Sequence, residues 1–231
     1  MKNICIIPAR GGSKRIPRKN IKFFLGKPII AYSIETAIKS NLFDEVMVST
    51  DDAEIAEIAK KYGAKVPFMR SKKNSNDFAT TFDVIEEVIL KYQALGLNFE
   101  YTCCLYSCAP FVTSIKLSKS LETMLEGQFD SVFPVMFFGF PIQRALHLNV
   151  DKKISFVYPE YSSTRSQDLV SSYHDAGQFY WMETKKCMPQ KKIVTNNTGS
   201  IVISEIEGQD IDNEIDWKLA ELKYEFLQSI K

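Results

Sequence analysis

Asn3–Ile–Cys–Ile–Ile–Pro8–Ala–Arg10–Gly–Gly–Ser–Lys14–Arg–Ile–Pro–Arg–Lys–Asn20 is the most informative stretch of this chain. Its first part, Asn3–Pro8, is a short apolar run rich in isoleucine, the composition of a buried strand. The rest is a loop of two glycines, a hydroxyl and five cations, with no acid. In an α/β sheet, the loop leaving the carboxyl end of a strand is the usual ligand crevice. Gly11 and Gly12 let backbone N–H groups approach an anion, and Ser13 adds a donor. Arg10, Lys14 and Lys19 supply charge for phosphate oxygens. The stretch contains neither G-x-x-x-x-G-K-[ST] nor G-x-G-x-x-G, which excludes a P-loop NTPase and a standard dinucleotide-binding dehydrogenase. A solvated basic turn is the competing reading, and the position directly after a buried strand disfavours it.

Outward from this loop, short apolar runs alternate with longer amphipathic ones. The strand pattern predicts Asn3–Pro8, Glu45–Ser49, Lys65–Met69, Tyr101–Leu105 and Ser131–Val135. Helices are expected over Pro28–Lys39, Ala53–Tyr62, Thr81–Leu95 and Ser114–Glu126. Pro28 suits a first helical position, Asp51 or Asp52 can cap the second helix, and Gly63 can close it. Such alternation predicts an α/β fold, a mostly parallel sheet with helices on both faces. The rhythm breaks after Val135. Residues 137–176 hold few convincing helices, many aromatics and a polar stretch, Tyr161–Ser172, and read as an excursion that makes subunit or substrate contacts. Strands return at Gln178–Met182 and Thr198–Ser204, and a helix over Asp216–Gln228 closes the pattern. Residues 1–231 read as one domain, with 137–176 as an arm within it.

The 231 residues are 45% hydrophobic and 25% charged, as in an ordinary soluble globule. A net charge of +1 recommends neither nucleic acid nor an anionic membrane as partner. No apolar run is long enough to span a bilayer, and no signal-peptide layout is present. The five cysteines are odd in number and mostly in strand-like surroundings, which suggests reduced thiols and a cytoplasmic location. Cys104-x-x-x-Cys108 lacks the further ligands that a metal site needs.

Charge is balanced overall and uneven locally. Eight Lys or Arg precede the first acid, Glu35. Near the other end, Glu205–Ile–Glu–Gly–Gln–Asp210–Ile–Asp212–Asn–Glu–Ile–Asp216 holds six acids and no base. Asp210 and Asp212 alternate about an isoleucine, so an extended segment turns both carboxylates to one side. A pair of this kind suits Mg²⁺, which takes one or two carboxylates and leaves its other positions to phosphate and water. Asp216 is placed to cap the final helix. Alone, the cluster would read as an acidic surface turn; beside the basic loop it suggests a site for a metal–polyphosphate complex.

These residues resemble a known family. Ile7 to Asn20 is similar to the signature loop of the CMP-sugar synthetases, the cytidylyltransferases that activate sialic and related acids. The likeness extends over Ser49–Thr–Asp51, Arg70, Asp77–Phe–Ala–Thr–Thr81 and the D-x-D of Gln209–Asp–Ile–Asp212. Thr164 to Leu169 and Tyr173 to Trp181 look like the pseudaminic acid branch. The sialic acid enzymes carry a glutamine in a Q-P-T-S-P segment where this chain has Tyr106–Ser–Cys–Ala–Pro110, a departure that agrees with that branch.

The resemblance implies a Rossmann-like nucleotide-diphospho-sugar transferase fold with a dimerisation arm. It also implies transfer of CMP from CTP to the anomeric hydroxyl of a nonulosonic acid, a nine-carbon acidic sugar, with release of pyrophosphate. Arg10, Gly12, Ser13, Lys14 and Lys19 would bind the triphosphate, with Lys14 nearest the reacting phosphate. Arg10 and Lys19 would join Lys14 as catalytic cations. Asn20, Arg70 and Thr81 would contact cytidine, and Asp210 and Asp212 would hold Mg²⁺. Tyr106, Gln178, Phe179 and Tyr180 match a sugar pocket, although core packing explains the aromatics equally well. Arg165 could meet the sugar carboxylate, from the arm and thus in a neighbouring protomer's site. His174 is available as a base, but a loop histidine is more often structural. Alternatives are activation of legionaminic, sialic or 3-deoxy-octulosonic acid, or a catalytically silent sugar-nucleotide binder.

Overall fold

A computed structural model describes residues 2–230 of the chain. The initial apolar run is strand β1, Asn3–Pro8. A small hairpin, β2 (Phe23–Phe24) and β3 (Lys27–Pro28), leads into helix α1, Ile29–Ser40. Then come β4 (Glu45–Ser49), α2 (Ala53–Lys61), α3 (Thr81–Ala94), β5 (Tyr101–Leu105), α4 (Ser114–Glu126) and β6 (Ser131–Phe137). A hairpin of β7 (Leu146–Leu148) and β8 (Ile154–Phe156) precedes β9 (Tyr173–Asp175) and β10 (Phe179–Glu183). The last elements are α5 (Thr184–Gln190), β11 (Thr198–Ile203) and α6 (Glu214–Ser229).

The main sheet has the order β11-β6-β10-β5-β1-β4, with β9 beside β6. β1 is parallel to β4 and β5, and β11 is parallel to β6. β10 runs antiparallel to both β5 and β6 and joins the two sets. The sheet is therefore mostly parallel, and helices cover both faces. Alternation along β1 divides the core. Cys5 and Ile7 share a cluster with Ile30 and Ile34 of α1 and Leu117 of α4. Ile4 and Ile6 turn to Ile85, Val88 and Ile89 of α3 and Cys187 of α5. A strand covered on both faces reads as a continuous apolar run, which is why β1 stands out in the sequence.

A third cluster positions the site. Ile16, from the loop after β1, is buried with Phe24, Tyr32, Phe111, Ile211 and Trp217. The apolar residue inside the basic loop and the one between the two aspartates thus share one core. Burying an isoleucine fully is worth ~1.5–3 kcal/mol, enough to hold each charged segment by its apolar member.

Several expected boundaries are corrected. The strand over 65–69 reduces to one parallel bridge, Met47 to Lys65, because Pro67 has no N–H for the ladder. Pro28 is extended at ψ 136, pairs in β3, and precedes the helix instead of starting it. Asn213, not Asp216, caps α6: its side chain accepts from the N–H of Ile215 and Asp216. Asp216 completes a capping box by accepting from the N–H of Asp212 and Asn213. α5, short and carrying Pro189, has no counterpart among the expected helices. Asp52 does cap α2, accepting from Ile55 N–H, and Gly63 takes the left-handed φ of +94° that ends it. Among the described residues, no helix is long and apolar enough to cross a membrane. All five cysteines are free.

Candidate active site

A cleft of about 650 Å³ opens where β1 and β5 end, between the loop after β1, the segment before α3 and the segment before α6. The loop after β1 owes its path to a local scaffold. A Cβ on Gly11 would lie 2.6 Å from Asp52 Oδ2, so a larger residue there would displace the Asp52 side chain from its cap on α2. Its N–H donates to Asp51 Oδ1 at 2.9 Å. Arg18, in the left-handed region at φ 55°, places its guanidinium on Asp52 and Glu54 and holds the Asp52 carboxyl below the usual carboxylate range. Asn20 closes the loop: Nδ2 donates to the Arg10 carbonyl at 2.8 Å, and Oδ1 accepts from Ser107 Oγ at 2.8 Å.

The remaining cations meet acids or carbonyls across the cleft. Arg10 Nη1 and Lys14 Nζ lie 2.7 and 2.5 Å from the two Asp77 oxygens. Hydrogen bonds from Lys14 and then Arg10 hold the Asp77 carboxyl below its ordinary range. Arg15 Nη1 is 2.6 Å from Asp212 Oδ2, and Lys19 Nζ donates to the Ile211 carbonyl at 2.6 Å. Lys223 of α6 donates to the carbonyls of Glu205 and Gly208, fixing the approach to the acid pair. Asp210 and Asp212 flank buried Ile211 and both line the cleft. Their donors are oxygen alone. Among the described residues no group of three or more His, Cys, Asp or Glu could hold a metal. The pair therefore fits a hard cation that draws its other ligands from phosphate and water, as Mg²⁺ does, and does not form a self-sufficient metal cage.

The opposite wall is built on Arg70 and α3. Arg70 is buried; Nε donates to Ser49 Oγ at 3.1 Å and Nη2 to the Ser49 carbonyl. Burial lowers its pKa, against the pull of Asp51. Thr81 Oγ1 and Tyr106 Oη are 3.1 Å apart, and burial raises the Tyr106 pKa. The Tyr106 ring meets Tyr180 edge-on at 5.4 Å, and Tyr180 Oη donates to Asp175 at 2.7 Å.

Arg10, Ser13, Lys14, Lys19, Asn20, Arg70, Thr81, Tyr106, Asp210 and Asp212 all line this cleft. Gly12, Arg165, Gln178, Phe179 and Tyr180 are not among its lining residues. Gly12 faces open space. Phe179 is fully buried in the core beside Trp181, and Tyr180 sits behind Tyr106 on the other face of the same strand. Gln178 gives its Nε2 to the Glu207 carbonyl at 2.7 Å. Arg165 lies in the arm, largely exposed, paired with Asp168. His174 also stays outside, its Nδ1 2.9 Å from the Asp175 carbonyl oxygen and its ring against Phe138. Arg15, Asn74, Asp77, Ser107 and Cys108 also line the cleft, and sequence reasoning gave none of them a role. Arg15, Asp77, Ser107 and Cys108 lie inside the stretches compared with the family; nothing local marks Asn74.

A glycine-containing cationic loop and a carboxylate pair share one cleft on an α/β sheet, an arrangement that suits a nucleotidyltransferase. The chain belongs to the cytidylyltransferase family, whose model matches residues 4–230. It is 43% identical over 224 residues to a pseudaminic acid cytidylyltransferase of Campylobacter jejuni, covering 97% of both chains. It is 30% identical over 237 residues to a CMP-N,N'-diacetyllegionaminic acid synthase of Legionella pneumophila, covering 99% of this chain and 98% of that one. Among solved structures, CMP:2-keto-3-deoxy-manno-octonic acid synthetase complexed with CTP shares the fold. Its TM-score is 0.70 at 18% identity, over 99% of this chain and 100% of that one.

Proposed function

We propose that this chain transfers CMP from CTP to the anomeric hydroxyl of a nonulosonic acid, pseudaminic acid before others, and releases pyrophosphate. The carrying observation is one cleft lined by Arg10, Ser13 and Lys14 together with Asp210 and Asp212, in a chain 43% identical to a pseudaminic acid cytidylyltransferase. In-line attack at the α-phosphorus needs positioning and charge stabilisation more than covalent help. Arg10, Ser13 and Lys14 bind the triphosphate, and Lys14 meets charge that develops on the reacting phosphate. Lys19, engaged with the Ile211 carbonyl, ties the basic loop to the acid pair as well. Asp210 and Asp212 would hold Mg²⁺, whose chemistry there is to neutralise the phosphates and the departing pyrophosphate. Asn20, Arg70 and Thr81 would contact the base, and Tyr106, 3.1 Å from Thr81, would contact the sugar.

A homodimer through residues 137–176 belongs to the same proposal. The β7–β8 hairpin is exposed along its length, and Phe140, Val150 and Val170 are 87%, 98% and 79% exposed. Apolar groups left in water on this scale favour a partner surface. In such a dimer Arg165 would reach the neighbouring site. Free buried cysteines support a reducing, cytoplasmic setting. The test is a panel of pseudaminic, legionaminic, sialic and 3-deoxy-octulosonic acids with CTP and Mg²⁺, read by mass spectrometry. Pseudaminate product should dominate; equal product from sialic acid would refute the preference, and no pyrophosphate with any acid would refute the reaction. UTP or ATP turning over as fast as CTP would refute a base-selective pocket.

A further inference from the structure

Asp77 lies on the two cations that the proposed function gives to the triphosphate. Its Oδ1 accepts from Arg10 Nη1 at 2.7 Å and its Oδ2 from Lys14 Nζ at 2.5 Å, while Arg10 also donates to the Asn76 carbonyl at 3.2 Å. One carboxylate thus spans both cations, as two oxygens of a phosphate group would. Among the described residues, Arg10 and Lys14 are the carboxylate's ion-pair partners.

The segment that carries Asp77 is firmly held at both ends and slight between them. On one side, Ser71 and Asn74 are bound to Glu87 of α3. On the other, Thr80 and Asp83 form the capping box that starts α3. Between these anchors, Asn76 Oδ1 accepts from the N–H of Phe78 and Ala79 at 2.7 and 3.0 Å, closing a small turn. Phe78 at the tip is 92% exposed, so its ring does not pin the turn over the cleft. The pairing of Asp77 and Asn76 with the basic loop holds it there.

We propose that Asp77 is a displaceable internal anion, which keeps Arg10 and Lys14 in a phosphate-binding arrangement while the cleft is empty and yields to the nucleotide's phosphates on binding. The inference rests on the assignment of Arg10 and Lys14 to the triphosphate. Two neighbouring cations without an anion repel each other and sample many rotamers, and ordering them at the moment of binding costs free energy. Asp77 supplies that order in advance and competes for the same donors. A polyphosphate carries more negative charge than one carboxylate and wins the exchange. The reverse exchange lets Asp77 assist departure of pyrophosphate.

The sign of the effect separates this role from the alternatives. A carboxylate that bound the nucleotide or its metal would weaken binding when removed; a competitor tightens it. Each exposed ion pair is worth a factor of roughly 1.5–5, or ~2–25-fold for both; the lost ordering of Arg10 and Lys14 offsets part of this, so phosphate binding should tighten ~2–10-fold. The experiment is calorimetric titration of CTP, and separately of inorganic pyrophosphate, without divalent metal, into wild type, Asp77→Asn, Asp77→Ala and Lys14→Ala. Both Asp77 variants should bind both ligands ~2–10-fold tighter, and Lys14→Ala should bind them more weakly. If Lys14→Ala weakens binding while the Asp77 variants bind no tighter than wild type, the displaceable-anion role is overturned and the triphosphate assignment stands. If Lys14→Ala binds as wild type does, the assignment falls and this inference with it. Amide hydrogen exchange in the wild-type chain keeps the idea testable should the variants fold poorly. CTP should speed exchange at Phe78 and Ala79, and slower exchange there would overturn displacement.

Discussion

Glu87 of α3 organises one wall of the cleft from behind, and replacing it tests that arrangement directly. Its carboxylate accepts from Ser71 N–H at 2.8 Å, Ser71 Oγ at 2.7 Å, Asn74 Nδ2 at 2.7 Å and Lys91 Nζ at 2.6 Å. Burial by itself raises the Glu87 pKa; the bonds from Lys91, Ser71 and Asn74 outweigh it and bring the group to about 2. A carboxyl that titrates near 4.5 unfolded and near 2 folded contributes at most ~3 kcal/mol at neutral pH. The Glu87 side chain is 11% exposed but its partner Lys91 is 35% exposed, so water screens part of the charge term and ~1–2 kcal/mol is the working figure. In Glu87→Gln an amide N–H₂ must face Asn74 Nδ2 or Lys91 Nζ, donor against donor. At ~2–4 °C per kcal/mol for a chain of this size, Tm should fall ~2–8 °C near neutral pH. The folded pKa is depressed, so this stability is fully present above about pH 4.5 and is lost as pH falls toward 2. The Tm gap between wild type and variant should therefore close across that window in calorimetric scans. KM for CTP should rise as well, because the same turn places Arg70 and Asn74 in the cleft wall. A Tm gap that stays constant from neutral pH down to about 3 would refute a charged Glu87 as the anchor.

Lys14→Ala should lower kcat ~10²–10³-fold with a smaller change in KM for CTP; an effect confined to KM would reassign the residue to ground-state binding. Asp210→Asn and Asp212→Asn should each abolish most turnover and leave Tm without nucleotide near wild type, with partial rescue by excess Mg²⁺ or Mn²⁺. Full wild-type turnover in excess EDTA would rule the pair out as a metal site. Leu148 and Ile154 face each other across β7–β8 at 63% and 66% exposure, so Leu148→Glu with Ile154→Glu should turn a dimer into a monomer in sedimentation without lowering the helix signal. A wild-type chain that sediments as a monomer at micromolar concentration would refute the arm's role.

Local order in the chain was enough for the parts whose physics is local. β1, β4, β5 and α4 run over the residues expected from period and caps, because a strand buried on both faces and a helix with an apolar stripe declare themselves within a few residues. The basic loop and the D-x-D pair were visible as charge unbroken by its opposite, and family motifs connected them. Three things depended on the assembled fold. The first is the insertion of antiparallel β10 between β5 and β6, a pairing between distant segments that no window of sequence contains. The second is which side of β10 backs the cleft wall at Tyr106. A period of two puts Phe179 and Tyr180 on opposite faces but does not say which face holds substrate, and Phe179 turned into the core. The third is the electrostatic partnership inside the cleft. Asp77 on Arg10 and Lys14, and Arg15 on Asp212, join residues from three separate loops. Charges carry no directional signal along a chain, and only when Ile16 and Ile211 were buried in one core did the two ends come within hydrogen-bonding reach.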